Sequence, residues 1–442
     1  MRQLLTTLSD YLRLDAITMI LLLALGVYLT VRTRFFQVFR IPFIVKNTLG
    51  TLLAEDKDKP GKSISPFQAV TTALAGTMGV GNIAGVATAL VSGGPGAVFW
   101  MWVSAFFGMA TKYAEIFLAV RFRRKDGGGR YIGGPMYYMR DGLGRGKMAV
   151  IFSLLCVLCS FGIGNMTQVN SVSTAAQSAF SVPLWLSGLA VMICVALVVF
   201  GGVKRIARIT ELVIPFISVL YICFAGAFLF MHRALIGTAF SQIVTNAFGV
   251  DKAVGGVLGY TVSQAMRLGL SRGVFTNEAG LGSAPIAHAA ADAKSPAHQG
   301  VWGIFEVFLD TIVVCTITAL VLLTAGGGVL WQSGLDGAQL TSAAFESAFG
   351  VLGERFIALS IVFFAIPSML GWCYYGESAV GFLSKGRKSA VNLYRFVFCL
   401  CIVAGAVGEL KLVWAVSDVL NAAMAIPNII AIFLLRREIK TP

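Results

Sequence analysis

Charge is scarce in this sequence. Only 13% of its 442 residues are Asp, Glu, Lys or Arg, while 57% are apolar, and the mean hydropathy is +0.80. A soluble globule needs roughly 25% charged residues to coat its surface, and this chain cannot supply that coat. Histidine is scarcer still: the three copies, at 232, 288 and 298, form no cluster of the kind a metal or a nucleophile–base pair requires. No Walker segment occurs. The stretch Gly79-x-Gly81-x-x-Ala84 formally matches a dinucleotide fingerprint, but it lies inside an apolar run with no strand before it. All eight cysteines (156, 159, 194, 223, 315, 373, 399 and 401) fall within apolar runs. Cys156 and Cys159 have the spacing of a metal or redox pair without partner ligands, so they read as apolar filler. These absences exclude a soluble enzyme, an ATP-driven machine within this chain and a disulfide-stapled domain. What remains is a polytopic membrane protein.

Long apolar runs are abundant. Matched to the roughly 20 residues that one crossing needs, they predict eleven helical spans near 15–32, 64–91, 96–120, 148–180, 183–202, 208–231, 257–292, 301–325, 355–381, 390–408 and 412–435. The net charge of +14 could suggest nucleic acid, but the basic residues sit in alternate connections. One side of the membrane collects 25 Lys and Arg, chiefly in 32–63, 121–147, 203–208, 382–389 and the tail; the other collects six. That bias predicts a cytoplasmic C-terminus and an N-terminus outside. It makes the basic charge a topology signal and leaves no nucleic-acid partner. The run 15–32 has no small-residue cleavage site after it and is followed by Arg32, Arg34 and Arg40, so it reads as a retained helix.

Setting the first span aside leaves ten, which divide into five (64–231) and five (257–435) entering the membrane from opposite sides; residues 1–63 are the extra helix and its cytoplasmic connection. Each half opens with a glycine-interrupted span: Ala75-Gly76-Thr77-Met78-Gly79-Val80-Gly81-Asn82 in the first, Arg272-Gly273-Val274-Phe275-Thr276-Asn277-Glu278-Ala279-Gly280 in the second. A broken helix within lipid survives only where it is buried or lines a polar cavity, and its freed N–H and C=O groups then become ligands. Close packing through Gly81-xxx-Gly85 would explain one glycine pair, but not four glycines clustered around Asn82. Interrupted spans at matching places in inverted halves predict a secondary transporter.

At these residues the chain resembles the alanine/glycine:cation symporter family, the sodium:alanine symporters. The likeness is carried by Thr72–Ala87, Gly93–Trp102, Gly108–Glu115, Phe275–Ser283 and Gly371-Trp372-Cys-Tyr-Tyr-Gly-Glu377, in order over nearly the whole chain. It implies an all-α, LeuT-like five-plus-five inverted repeat with one extra N-terminal helix. It also implies import of L- or D-alanine or glycine with sodium across a bacterial inner membrane. One departure stands out: family members often carry a Ser/Thr pair before the Gly-Trp block, where this chain has Ile366-Pro367-Ser368. One sodium-binding hydroxyl is therefore missing, and Pro367 frees a carbonyl near Phe363.

A zwitterionic amino acid needs partners for its carboxylate and its ammonium. The helix start after the first break, around Gly79, Gly81 and Asn82, suits the carboxylate, and the amide of Asn82 can serve the ion, the carboxylate or both. By resemblance, sodium takes the carbonyls of Ala75, Thr77 and Met78, Asn82 and the hydroxyl of Ser368. The second break contributes Val274, Phe275, Thr276 and Asn277. Gln168 is expected either to meet the ammonium or to bond a neighbouring helix, and Phe275 and Trp372 either to wall the pocket or to pack as ordinary core. Ionisable groups inside the membrane are functional candidates. Glu278 is expected as a gating partner of Arg272 or as a protonatable coupling group. Glu306 and Asp310, four residues apart on one helix face, could share a proton or an ion, or pair with Arg267 or a serine. Asp418 stands alone, and Lys112 and Glu115 are expected to pair locally. No cofactor is expected beyond sodium as coupling ion, with a proton as the alternative. The partners are the bilayer and a small solute, and the functional unit is a monomer. A channel is the remaining rival, because unwound backbone also builds selectivity filters.

Overall fold

The computed structural model describes residues 14–53, 63–249, 257–408 and 410–441. It is almost wholly helical; a two-stranded hairpin, Arg124–Lys125 with Tyr131–Ile132, is its one sheet among the described residues. Among the described residues, seven helices are long and apolar enough to cross a membrane in one piece: Gly96–Arg121, Gly146–Phe180, Val203–Met231, Pro296–Gly328, Val351–Leu383, Lys388–Val407 and Val416–Leu434. The other four spans read from the sequence fall on shorter or interrupted helices. These are Ile17–Arg32, Leu184–Val199, Pro66–Thr77 with Ala84–Gly93, and Val257–Asn277 with Ala284–Ala289. Two further helices, Arg233–Phe248 and Gly337–Phe349, occupy stretches that hydropathy leaves as connections, because neither is apolar enough to count as a span.

Both interruptions lie where the glycines sit. Pro66–Thr77 starts on a capping box, in which Ser65 Oγ accepts the Gln68 N–H and Gln68 Oε1 accepts the Ser65 N–H, each at 3.1 Å. It ends where Gly79 turns extended, and a short 3₁₀ turn, Val80–Asn82, precedes the second half. The second break runs from Glu278 to Ser283 and needs three left-handed residues, Glu278 (φ 54°), Gly280 (φ 86°) and Gly282 (φ 84°). Two of the three are glycine, the residue that adopts this conformation without strain.

Three pairs of helices of equal rank in the two halves pack on one another. Gly96–Arg121 lies along Pro296–Val307, Gly146–Phe161 along Val351–Leu383, and Leu184–Val199 along Lys388–Val407. The helix Leu14–Arg32 stands outside this pairing, against Gly96–Arg121 and Leu410–Leu434. The interrupted helices are thereby enclosed: Ala73, Ala75, Met78, Ile83 and Ala84 are all buried, as are Phe275 and Ala279. Polar backbone at this depth meets protein, which is the condition under which a helix can be broken inside a membrane.

Candidate functional site

The break in the first helix frees specific carbonyls. The Met78 N–H still reaches Leu74 O (2.6 Å), but the Gly79 N–H turns back to Thr77 O (2.9 Å), and the Asn82 N–H bonds Gly79 O (3.3 Å). The carbonyls of Ala75 and Met78 thus lose the N–H groups that a continuous helix would send them. The Val80 N–H leaves the ladder too and donates to Gln168 Oε1 at 3.2 Å. Ser368 donates through its hydroxyl to Gly76 O at 3.2 Å. A Cβ on Gly79 would stand 2.9 Å from Gln168 Oε1 and 3.0 Å from Ser368 Oγ. Gly79, Gln168 and Ser368 therefore meet at the break, together with Ala75 and Met78. Thr77 contributes differently: its hydroxyl bonds back to Ala73 O and Leu74 O, both at 3.3 Å. Gln168 donates to Ile163 O at 3.1 Å and so spans two elements rather than standing free.

Asn82 lies on the other side of the break and is fully buried. Its amide donates to Asp310 Oδ1 (2.7 Å), Asp310 O (3.2 Å) and Cys315 Sγ (3.4 Å). Its Oδ1 is buried with no hydrogen-bond partner, so this oxygen faces no donor. The Thr311 hydroxyl donates to Asp310 Oδ2 (2.7 Å), accepts from Asn277 Nδ2 (3.2 Å) and lies 3.4 Å from the Thr276 hydroxyl. A Cβ on Gly81 would meet Thr276 Cγ2 at 3.0 Å and Phe275 Cδ1 at 3.4 Å. Asn82, Thr276, Asn277 and Asp310 thus form one polar cluster with Gly81 and Phe275 beside it. Val274 is buried one turn before the second break, and its carbonyl accepts the Glu278 N–H at 2.8 Å.

Four expectations about charged residues need correction. Arg272 pairs with Asp418 (3.1 Å) and lies over the rings of Trp414 and Phe275, so it does not gate through Glu278 and Asp418 does not stand alone. The left-handed turn at Glu278 sends that carboxylate elsewhere: Oε1 accepts from the Trp372 indole N–H at 2.8 Å and Oε2 from the Ser283 hydroxyl. Trp372 is held at the second break, ring to ring with Tyr375. Glu306 and Asp310 do not share one partner or pair with Arg267, because the helix widens into a π-turn over Phe308–Cys315 between their contacts. Asp310 goes to Asn82, while Glu306 pairs with Lys112 (3.1 Å) and meets His288 Nε2 (3.1 Å). Lys112 therefore turns to Glu306 rather than to Glu115, whose Oε2 accepts from Asn428 Nδ2 at 3.0 Å. Gln299, Thr311 and Asn428 are fully buried polar residues within or beside spans that no motif singles out, and His288, expected to belong to no cluster, meets Glu306 and Gln299. The signal for them was present: each is a polar side chain within or beside an apolar run.

A model of the sodium:alanine symporter family matches residues 1–441. The chain belongs to this family. It is 46% identical to the sodium/alanine symporter AgcS of Methanococcus maripaludis, over 94% of this chain and 91% of that protein. It is also 36% identical to the amino-acid carrier protein AlsT of Bacillus subtilis, over 94% of this chain and 86% of that one. Among solved structures, a Na+-coupled sialic acid symporter superposes with a TM-score of 0.58 at 13% identity, covering 96% of this chain and 87% of that one, which establishes the LeuT-like fold alone. The protein is a multi-pass membrane transporter of the amino-acid symporter class and not an enzyme.

Proposed function

We propose that the protein imports alanine and glycine together with sodium by alternating access, with residues 64–231 and 257–435 as the two repeats. One observation carries the reading: the first break strips the Ala75 and Met78 carbonyls of their helical N–H partners beside the Ser368 hydroxyl. Oxygen ligands without donors are what a hard cation needs, and no carboxylate is required among them. A second cation position is offered by Asn82 Oδ1, with Asp310 and the Thr276 hydroxyl around it. The substrate carboxylate is assigned to the turn from Gly79 to Ile83, where it takes the Val80 N–H in place of Gln168 Oε1, and Gln168 and Asn277 stand beside it as polar partners. Small size follows from the glycines: a single methyl on Gly79 or Gly81 already comes within 3.0 Å of a neighbouring side chain. AgcS is named for sodium and alanine, which agrees with this assignment. We further propose a bacterial inner membrane and a functional monomer, and, on the basic bias of the connections, an N-terminus outside and a cytoplasmic C-terminus.

A proton-coupled reading has one specific observation in its favour. Glu278 is fully buried, and its recorded hydrogen bonds come from neutral groups, the Trp372 indole and the Ser283 hydroxyl. The experiment that separates the two is radiolabelled alanine uptake into proteoliposomes at zero voltage, under an inward sodium gradient or an inward proton gradient. Accumulation driven by sodium alone is the expected result. Accumulation driven by protons alone transfers the coupling role to Glu278, and no accumulation under either gradient removes alanine as the substrate.

A further inference from the structure

Lys112 has no part in the reading above, yet it is one of the most enclosed cations in the molecule, with its side chain wholly buried. It rises from the middle of Gly96–Arg121, and Gly303 makes room for its stem: a Cβ at 303 would lie 2.9 Å from Lys112 Cγ. Its ammonium donates to Asn277 O at 2.9 Å. Asn277 is the last residue of the half-helix before the second break, so the lysine sits at the negative end of that helix and satisfies one of its orphan carbonyls. The same ammonium pairs with Glu306 Oε1 at 3.1 Å. The other oxygen of Glu306 meets His288 Nε2 at 3.1 Å, and His288 lies in Ala284–Ala289, the half-helix after the break. Gln299 Nε2 donates to His288 Nδ1 at 2.9 Å, which leaves Nε2 as the protonated nitrogen donating to Glu306. The chain Asn277 O–Lys112–Glu306–His288 therefore ties the two halves of the second broken helix together from outside.

We propose that Lys112 is a positioning residue of the transport cycle. It is a built-in cation that caps the half-helix ending at Asn277 and, through Glu306 and His288, holds both sides of the break in register. What it positions are the Thr276 hydroxyl and the Asn277 amide. Both meet Thr311, which in turn holds the Asp310 carboxylate beside Asn82. The chain makes permanent, with a tethered ammonium, a helix-end charge that a mobile ion would otherwise have to supply at this break. Sodium affinity at the Asn82–Asp310 cluster is set in part by a residue that touches neither ion nor substrate.

This inference rests on the sodium-coupled reading, and the wild-type protein separates the two: wild-type proteoliposomes without sodium-driven alanine uptake overturn that reading, whatever the variants do. Two variants test Lys112 itself. Lys112→Met/Glu306→Gln removes both charges at once, so that no unpaired carboxylate is left buried. Lys112→Arg keeps the charge, but its broader head cannot occupy the place of the ammonium beside Gly303. Sodium half-saturation and maximal alanine uptake are measured for each, normalised to folded protein. The neutral pair is expected to raise sodium half-saturation roughly tenfold, the scale of one lost charge-assisted hydrogen bond. The arginine variant is expected to raise it several-fold, with a smaller effect on maximal rate in both. Wild-type half-saturation in either folded variant overturns the proposal and leaves Lys112–Glu306 as a packing pair. If only one variant folds, that one decides.

Discussion

Asn82 shows how one side chain can have a structural and a ligand role at the same time. Its amide N–H groups serve Asp310, while its oxygen has no donor. Asn82→Ala should therefore abolish uptake and also lower the melting temperature, because it leaves a buried carboxylate without its amide, a loss of about 1.5–3 kcal/mol. Adding Asp310→Asn should restore much of the melting temperature without restoring uptake. Recovery of transport in the double variant would show that Asn82 matters only as a partner of Asp310. Ser368 is simpler. Its hydroxyl reaches Gly76 O and borders Gly79, and the position two residues earlier is Ile366 rather than a second hydroxyl residue. Ser368→Ala should raise sodium half-saturation roughly tenfold in an uptake titration, with little change in protein yield. An unchanged sodium curve would place the ion away from the first break.

At the scale of elements, the two breaks are built differently. The first relies on space: Gly79 is extended, and a methyl there would collide with Gln168 and Ser368. Gly79→Ala should reduce uptake by more than about tenfold, with a stability loss of about 1–3 kcal/mol from overpacking. Uptake and a melting curve on the same preparation check both parts. The second break relies on left-handed turns and a polar clamp. The hairpin after Gly96–Arg121 depends on charge instead. Burial would raise the Asp126 carboxyl, but the backbone N–H and guanidinium of Arg130 and the Gly128 N–H outweigh it and hold the group below its usual range. A depressed carboxyl contributes stability above its ordinary range and loses it as pH falls through its folded value. Exchange protection of the Gly128 and Arg130 amides should be flat from neutral pH down to about 5, and should fall below about 4. Asp126→Asn should remove that pH dependence.

At the scale of the whole molecule, orientation rests on the counting of basic residues in alternate connections. Lys125, in the hairpin, belongs to the basic side, and Arg233, at the start of Arg233–Phe248, to the other. In intact bacteria, an impermeant maleimide should therefore label Arg233→Cys and spare Lys125→Cys until the membrane is opened. The reverse pattern would invert the topology and with it the direction in which each half faces. Most of the architecture is legible in the sequence, because lipid imposes a strong rule: every crossing must be long, apolar and internally hydrogen-bonded. That rule marks the spans, and the glycine clusters mark where it is relaxed. The place of the first break was legible for the same reason, whereas Ser368 was expected there only from the family resemblance and Gln168 only as a polar residue within a span with two open roles.

Charged partners were not legible, and the reason is physical. A side chain inside a helical protein finds its partner across neighbouring helices, hundreds of residues away in sequence, whereas periodicity reports only neighbours on its own helix. Arg272 meets Asp418 and Lys112 meets Glu306, each by crossing between elements. The pairing of Glu306 with Asp310 fails because a π-turn, invisible in composition, changes the angle between them. Hydropathy and backbone freedom, both written in the amino-acid order, fix the membrane class, the places of the breaks and the residue types available to bind a zwitterion and a hard cation. Which buried acid meets which base, and which side-chain oxygens are left without a donor, emerges in the folded molecule alone, because both depend on how the helices are rotated against one another.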